Sequence, residues 1–336
     1  MAKRKLTKQQ QTRIQQQQNH RRKQLHAPSP DKVDTSTSDA PEQAGMVIAN
    51  FGATLIVENE QGQTFRCTLR QNIPTLVSGD RIVWQQLDEE TGVIVALQER
   101  SSFLARPDRR GKAKIIAANI DQIMIVSACK PAPNTRLIDR YLVAAETAHI
   151  TPIIILNKTD LLGQANTQEI EQQLMPYQDL GYQLLYTSTK QAHGMDILQS
   201  CLQDKTSVFV GQSGVGKSSL INTLLPEAMA LVGEVSQSTQ KGRHTTTMAQ
   251  LYHLPSGGQI IDSPGIREFG LWQVTQQQLA DGFREFHPFL GQCRFRDCLH
   301  EDEPGCLVRE NVATGKITEQ RWQSYRRILE SLREMG

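Results

Sequence analysis

The sequence predicts a multidomain chain: a β-barrel (OB-fold), an α/β P-loop domain with its motifs in circularly permuted order, and a small α-helical metal-binding domain. Three observations carry that reading. Short alternating strands crowd residues 44–100, with no helical periodicity between them. A glycine-rich run, Gly211 to Ser218, follows the apolar strand Val208-Phe209-Val210 and opens a helical run. Cys293, Cys298, His300 and Cys306 cluster near the C-terminus. The expected boundaries are 1–43 for a disordered basic tail and linker, 44–100 for the barrel and 101–112 for a second linker. The α/β domain is expected over 113–274 and the helical domain over 275–336.

Composition bounds the function classes. Hydrophobic residues make up 38% of the 336 and charged residues 21%, and no apolar run approaches the length needed to cross a bilayer. The N-terminus carries no apolar stretch of the kind a signal peptide needs. A cytoplasmic protein without a membrane partner, acting as a monomer, is the expectation. In a reducing compartment thiols stay reduced, so clustered cysteines point to metal rather than to disulfides.

The net charge of +2 conceals a gradient. Residues 1–26 hold Lys3, Arg4, Lys5, Lys8, Arg13, Arg21, Arg22 and Lys23, no acid, and the runs Gln9–Gln11 and Gln15–Gln18. Too little apolar surface is available there to offset ordering entropy, so disorder is expected. Such an arm suits an RNA phosphate backbone or serves as a solubilising tail.

The five barrel strands are expected at 46–49, 53–57, 64–69, 81–84 and 92–97, separated by turn signals such as Asn59-Glu60-Gln61-Gly62 and Ser78-Gly79-Asp80. A small barrel can bind single-stranded nucleic acid or act as a spacer. Its aromatics Phe51, Phe65 and Trp84 fit either a stacking platform or a core. Residues 100–114, with Arg100, Arg106, Arg109, Arg110, Lys112 and Lys114, read as a basic, structureless linker. Beyond them, apolar strands near 122–126, 152–156, 183–186, 208–210, 250–254 and 259–261 alternate with helical patterns, which means a parallel sheet covered on both faces. Residues 318–333 form a final helix, with Thr318 as its cap and Trp322, Tyr325, Ile328, Leu329 and Leu332 along one face.

The chemistry lies in short motifs. Gly211-Gln212-Ser213-Gly214-Val215-Gly216-Lys217-Ser218, with Ser219 behind it, has the composition of a phosphate loop. Its glycines let successive N–H groups face phosphate oxygens, Lys217 reaches the β- and γ-phosphates, and Ser218 offers a hydroxyl to Mg²⁺. Asn157-Lys158-Thr159-Asp160 sits just past a buried strand, where open α/β sheets place ligands. The Asp160 carboxylate can accept from N1–H and the exocyclic amine of guanine, a pattern adenine lacks. Asn157 is expected to tie the base edge to the neighbouring loop, and the Lys158 stem to pack on the base. Ser188-Thr189-Lys190 reads as the second base loop, working through backbone N–H groups. Asp262, in Asp262-Ser263-Pro264-Gly265, is expected to hold Mg²⁺ through water, and Gly265 to contact the γ-phosphate. One threonine of Thr245-Thr246-Thr247, Thr245 or Thr246, is expected to close over the metal, with Thr246 assigned to Mg²⁺. The base-reading motifs precede the phosphate loop, so the order is that of a circularly permuted GTPase using GTP and Mg²⁺.

Many GTPases place a water-orienting Gln directly after the glycine that Gly265 matches. This chain has Ile266, so intrinsic hydrolysis should be slow and a partner should complete the site. His244, next to Thr245, is the candidate catalytic residue, the alternative being a bystander surface histidine. Cys293, Cys298, His300 and Cys306 make a tetrahedral Cys₃His set for one structural Zn²⁺, with no open coordination position.

Together these residues resemble the RsgA (YjeQ) family of circularly permuted GTPases. The resemblance rests on the motif order, on Gly242-Arg243-His244-Thr245-Thr246-Thr247, on Asp262 to Phe269 and on the cysteine–histidine set, and spans residues 44 onward. It implies an OB domain, a permuted GTPase core and a C-terminal zinc domain. It also implies GTP hydrolysis stimulated by the small ribosomal subunit and its rRNA, late in that subunit's maturation. A GTP-gated RNA-binding placeholder and a translation factor, for which hydrolysis is incidental to maturation, are the alternatives.

Overall fold

The structure, a computed structural model, describes residues 40–108, 111–163, 167–225, 249–262, 266 and 274–335. The basic tail therefore lies outside the described residues.

Five strands, β1 (Glu42–Asn50), β2 (Leu55–Asn59), β3 (Thr64–Leu69), β4 (Arg81–Gln86) and β5 (Thr91–Leu97), pair in the order β1-β2-β3-β5-β4. A β1–β4 ladder closes the ring into a barrel, and β3–β5 is its one parallel pairing. Alternation decides which side chains enter: on β3, Phe65 and Cys67 are buried while Thr64, Arg66 and Thr68 face out. Trp84 is fully buried and lies 4.7 Å from the Phe65 ring. Gly45 and Gly92 make room for it, since a Cβ on either would sit within 2.8 Å of the indole. Two of the three barrel aromatics are thus core, and only Phe51 is exposed.

The segment expected as a structureless linker is a hairpin. Strands β6 (Phe103–Pro107) and β7 (Ala113–Ala118) pair antiparallel, with Leu104, Ile116, Ala117 and Ala118 buried. Lys112 and Lys114 are exposed, and the basic composition of the segment hides its alternation in the sequence. Arg100, just ahead of this hairpin, is taken up in an internal ion pair. Its guanidinium grips buried Asp80 through Nε to Oδ1 at 2.6 Å and a terminal nitrogen to Oδ2 at 2.8 Å, a bidentate pair that fastens the barrel's β3–β4 turn.

The α/β core comprises β8 (Gln122–Ala128), β9 (Thr151–Asn157), β10 (Gln183–Tyr186), β11 (Thr206–Gly211), β12 (Gln250–His253) and β13 (Gln259–Asp262), in the order β10-β9-β8-β11-β13-β12. The sheet is parallel except that β12 runs antiparallel to β13, as the short connection through Gly257 and Gly258 requires. Alternate residues of β8 serve opposite layers. Ile123 and Ile125 pack toward α1 (Thr135–Thr147) and α2 (Thr167–Asp179), while Met124 and Val126 pack toward α3 (Met195–Leu202) and α4 (Lys217–Leu224). Each such buried aliphatic side chain contributes about 1.5–3 kcal/mol.

Sequence order places the barrel ahead of the base-reading half, but in space it joins the opposite edge. Strand β1 bridges β12 at Ala49–Gln250, the Ser78 hydroxyl donates to the Ala249 carbonyl at 2.7 Å, and His253 meets Glu58 at 2.8 Å.

The C-terminal domain contains α5 (Gln276–Asp281), α6 (Leu307–Ala313) and α7 (Glu319–Met335). Thr318 caps α7, its hydroxyl accepting from Arg321 N at 3.4 Å. The face carrying Trp322, Tyr325, Ile328 and Leu329 is core, continuous with the layer over α1. Among the described residues no helix is long and apolar enough to cross a membrane.

Candidate nucleotide site and metal centre

Strand β11 ends at Gly211 and turns through the loop into α4, whose first residue is Lys217. Glycine is required at both ends of this turn. Gly211 has φ +140 and a Cβ there would meet the Val126 carbonyl oxygen at 2.1 Å; Gly216 has φ +98 and its Cβ would lie 2.4 Å from Asn157 Nδ2. Val215 is buried and anchors the loop, while Gln212, Ser213, Gly214, Ser218 and Ser219 are exposed. Lys217 is largely buried and donates through Nζ to the Gly211 and Gln212 carbonyls, both at 2.7 Å. The loop glycines, Ser213, Lys158, Lys217 and Ser218 line a cavity of about 530 Å³.

The base-reading motifs meet the same edge, because β8 alone separates β9 from β11. Asn157 is 1% exposed and cross-links two elements. Its Nδ2 donates to the Val215 carbonyl at 3.0 Å, and its Oδ1 accepts from the Thr187 hydroxyl at 3.1 Å. Lys158, at φ +60, reaches across to donate to the carbonyls of Lys130 at 2.9 Å and Gly214 at 2.5 Å. Asp160 is held by the buried Ser188, whose hydroxyl donates to Oδ1 at 2.7 Å; Lys190 Nζ stands 3.9 Å from Oδ2. Ser188 was expected to act through its backbone, yet its N–H is committed to the His193 carbonyl at 3.0 Å. That bridge closes the loop holding Thr189 and Lys190. The Ser188–Asp160 brace has no signature in sequence beyond the two motifs themselves.

Asp262 ends β13, which runs beside β11 in the register Val208–Ile261. It therefore stands at the phosphate-loop edge, half-buried. Ile266 is 1% exposed and belongs to the hydrophobic core. No hydrogen-bonding side chain can come from that position. His244, Thr245, Thr246 and Gly265 lie outside the described residues.

In the C-terminal domain the ligand atoms of Cys293, Cys298, His300 and Cys306 all lie within 4.8 Å of one another. His300 Nδ1 is 3.6 Å from Cys293 Sγ and 3.5 Å from Cys306 Sγ. Ordinary zinc bond lengths of about 2.3 Å to sulfur and 2.1 Å to nitrogen put the S···N edge of a tetrahedron near 3.6 Å, so the set fits that ion. Burial pushes the Cys298 and Cys306 thiols up and the His300 imidazole down. Ordering of this loop comes from its neighbours. Trp322 Nε1 donates to the His300 carbonyl at 3.0 Å and the Tyr325 hydroxyl to the Leu299 carbonyl at 2.8 Å. The Glu303 carboxylate accepts from Leu299 N and Glu301 N, each at 2.9 Å. Such outer contacts orient metal ligands, and no sequence pattern announced them.

The match to known proteins follows this geometry. Residues 97–272 fit the family model described as RsgA GTPase. The protein named small ribosomal subunit biogenesis GTPase RsgA from Hahella chejuensis is 51% identical over 99% of this chain and 98% of its own length. The chain belongs to the RsgA GTPase family. The protein of the same name from Haemophilus influenzae is 50% identical over 99% of this chain and 97% of its own. Among solved structures, YjeQ from Thermotoga maritima aligns with a TM-score of 0.72 at 31% identity, covering 87% of this chain and 99% of that one. YloQ, described as a circularly permuted GTPase, aligns at 0.71 with 29% identity over 88% and 96%. The OB barrel, the permuted core and the Cys₃His cluster are therefore those of an RsgA-family GTPase, an enzyme that hydrolyses GTP.

Proposed function

We propose that this protein is a GTPase of small ribosomal subunit biogenesis that binds the subunit and its rRNA and hydrolyses GTP late in maturation, with stimulation by the subunit. The observation that carries the reading is one shared edge. Asp160, braced by Ser188, presents its carboxylate where β9 ends, and Lys158 spans from there to the phosphate-loop carbonyl of Gly214. On this reading the guanine base lies at Asp160 and the phosphate tail at the loop, with Lys158 between them.

Within it, Asp160 selects guanine, the Lys158 stem flanks the base, and Asn157, Ser188, Thr189 and Lys190 support it. The N–H groups of Gly211 to Ser219 receive the phosphates. Lys217 exchanges its two loop carbonyls for the β- and γ-phosphate oxygens, which a flexible ammonium does without moving the backbone. Ser218, Thr246 and Asp262 are the residues that would hold Mg²⁺, which neutralises charge developing between the β- and γ-phosphates. Gly265 meets the γ-phosphate. Ile266 is buried, so orientation of the attacking water falls to His244, completed by the bound subunit. The Cys₃His centre holds one Zn²⁺ in a structural role, since all four positions are filled by protein. The protein acts as a cytoplasmic monomer, and the basic tail adds rRNA phosphate contacts.

Co-sedimentation with purified small subunits tests this. The full chain should pellet with subunits when loaded with a non-hydrolysable GTP analogue and stay in solution with GDP. Equal pelleting in both states, or none, would remove the nucleotide-gated subunit partner.

A further inference from the structure

Strand β1 serves two cores. Val47 is buried in the barrel, and the register then slips between Val47 and Ala49, which leaves Ile48 as a β-bulge. Bulged Ile48 packs into the core of the α/β sheet, in one cluster with Leu251 and Ile261. Past the bulge, Ala49 bridges Gln250, and Gln250 pairs with Asp262. Ala49, Gln250 and Asp262 therefore stand in one row across β1, β12 and β13. Residues directly opposite in antiparallel strands share a face, with Cβ atoms about 4.5–5.5 Å apart.

The barrel's β3–β4 turn fastens the same end of β12. Ser78 is 1% exposed, and its hydroxyl donates to the carbonyl of Ala249, the residue before Gln250, at 2.7 Å. Gly79, at φ +89, is pressed so close to the core that a Cβ would meet the Ala118 carbonyl oxygen at 2.2 Å and Ile261 Cδ1 at 3.0 Å. Its N–H donates to the Val47 carbonyl at 2.9 Å, and its carbonyl accepts from Asn119 Nδ2 at 2.7 Å. At the other end of β12, where His253 pairs with Gln259, the barrel's hold is the half-exposed Glu58–His253 contact, of a kind that contributes little. The firm contacts thus converge on the row that contains Asp262. Asp262 ends β13 beside the phosphate-loop strand, and its carboxylate with the Ser218 hydroxyl makes a hard oxygen donor set of the kind Mg²⁺ takes.

We propose that the barrel is a working part of the nucleotide site: Ser78, acting through Ala249 and the Gln250–Asp262 step, is a positioning residue for Asp262 and so for the metal-linked share of nucleotide affinity. A partner that displaces the barrel loosens the metal end of the site without touching the base or the phosphate loop. This rests on Asp262 being a Mg²⁺ residue of a guanine-nucleotide site, and Asp262→Ala is the control for that reading.

The test measures affinity of the full chain for a fluorescent, non-hydrolysable GTP analogue with Mg²⁺ present and with it left out. No chelator is added, so the Cys₃His centre is undisturbed. Wild type should bind more tightly with Mg²⁺. Ser78→Ala should lose about fivefold or more of that gain. Its metal-free affinity should stay within about twofold of wild type, a split that general destabilisation would not produce. Asp262→Ala should lose at least as much of the gain, and the double variant no more than Asp262→Ala alone. His253→Ala, which cuts the barrel's contact at the other end of β12, should keep the gain within about twofold. A gain in Ser78→Ala equal to that of wild type, losses that multiply in the double variant, or an equal loss in His253→Ala overturns the proposal. Wild type and Asp262→Ala responding alike to Mg²⁺ would instead remove Asp262 from the metal site, and the proposal with it. Should Ser78→Ala not fold, amide exchange of the wild-type chain decides. Because coupling is reciprocal, Mg²⁺ added to analogue-bound protein should slow exchange of residues 47–50 and 78–80 about fivefold or more, and unchanged rates there overturn the proposal.

Discussion

Replacing Asn157 with Ala isolates the cross-link on which the nucleotide site depends. The side chain is fully buried and serves two partners, the Val215 carbonyl at 3.0 Å and the Thr187 hydroxyl at 3.1 Å. Truncation leaves both polar groups buried without it, at about 1–3 kcal/mol each. Water from the adjacent cavity can reach the Val215 side, since only Gly216 intervenes. The lower end, about 2–3 kcal/mol, is therefore the expected loss. Val215 belongs to the phosphate loop, so part of that loss appears as loop misplacement. If half of it does, nucleotide affinity falls about tenfold. Asn157→Asp should be worse than Asn157→Ala: it keeps the acceptor for Thr187 but turns a carboxylate oxygen toward the Val215 carbonyl, with no donor between them. The assay is equilibrium titration with a fluorescent GDP analogue, beside urea unfolding of nucleotide-free protein. Affinity within twofold of wild type for Asn157→Ala, or an Asp variant that binds better than the Ala variant, would refute the reasoning.

Two further outcomes follow from the same geometry. Asp160→Asn should shift preference from guanine toward xanthine nucleotides, because the carboxamide presents a donor where guanine also presents one; undiminished GTP use in a competition assay would show that Asp160 does not read the base. Cys298→Ser should lower bound zinc below one per chain and reduce the melting temperature by roughly 5 °C or more, as metal analysis and calorimetry would show, and a full complement of zinc with unchanged melting would remove Cys298 from the ligand set.

Features with a strong local period or composition were legible in the sequence. The barrel strands show alternation, the phosphate loop shows glycines before Lys217, and the metal set shows three cysteines and a histidine close together. What escaped was chemistry between distant segments. The β6–β7 hairpin was hidden because its arginines and lysines look like a solvated linker, and Arg100 because nothing local pairs it with Asp80. Barrel docking on β12 rests on one bridge, Ala49–Gln250, and a few hydrogen bonds, too little to leave a pattern. Arg321 reads as an exposed helical charge until Asp139, far away in sequence, proves to be its partner. Asn157 belongs to a motif that is visible in the sequence, but its role as a cross-link depends on Val215 and Thr187, which the motif does not contain.

Single-turnover GTP hydrolysis by the full chain, with and without purified small ribosomal subunits, bears most directly on the account. Ile266 is sequestered in the core, so the isolated protein lacks a water-orienting group at that position and should be slow. Subunits should raise the rate about tenfold or more, and the stimulation should vanish in Lys217→Ala. A rate that is the same with and without subunits would contradict the account.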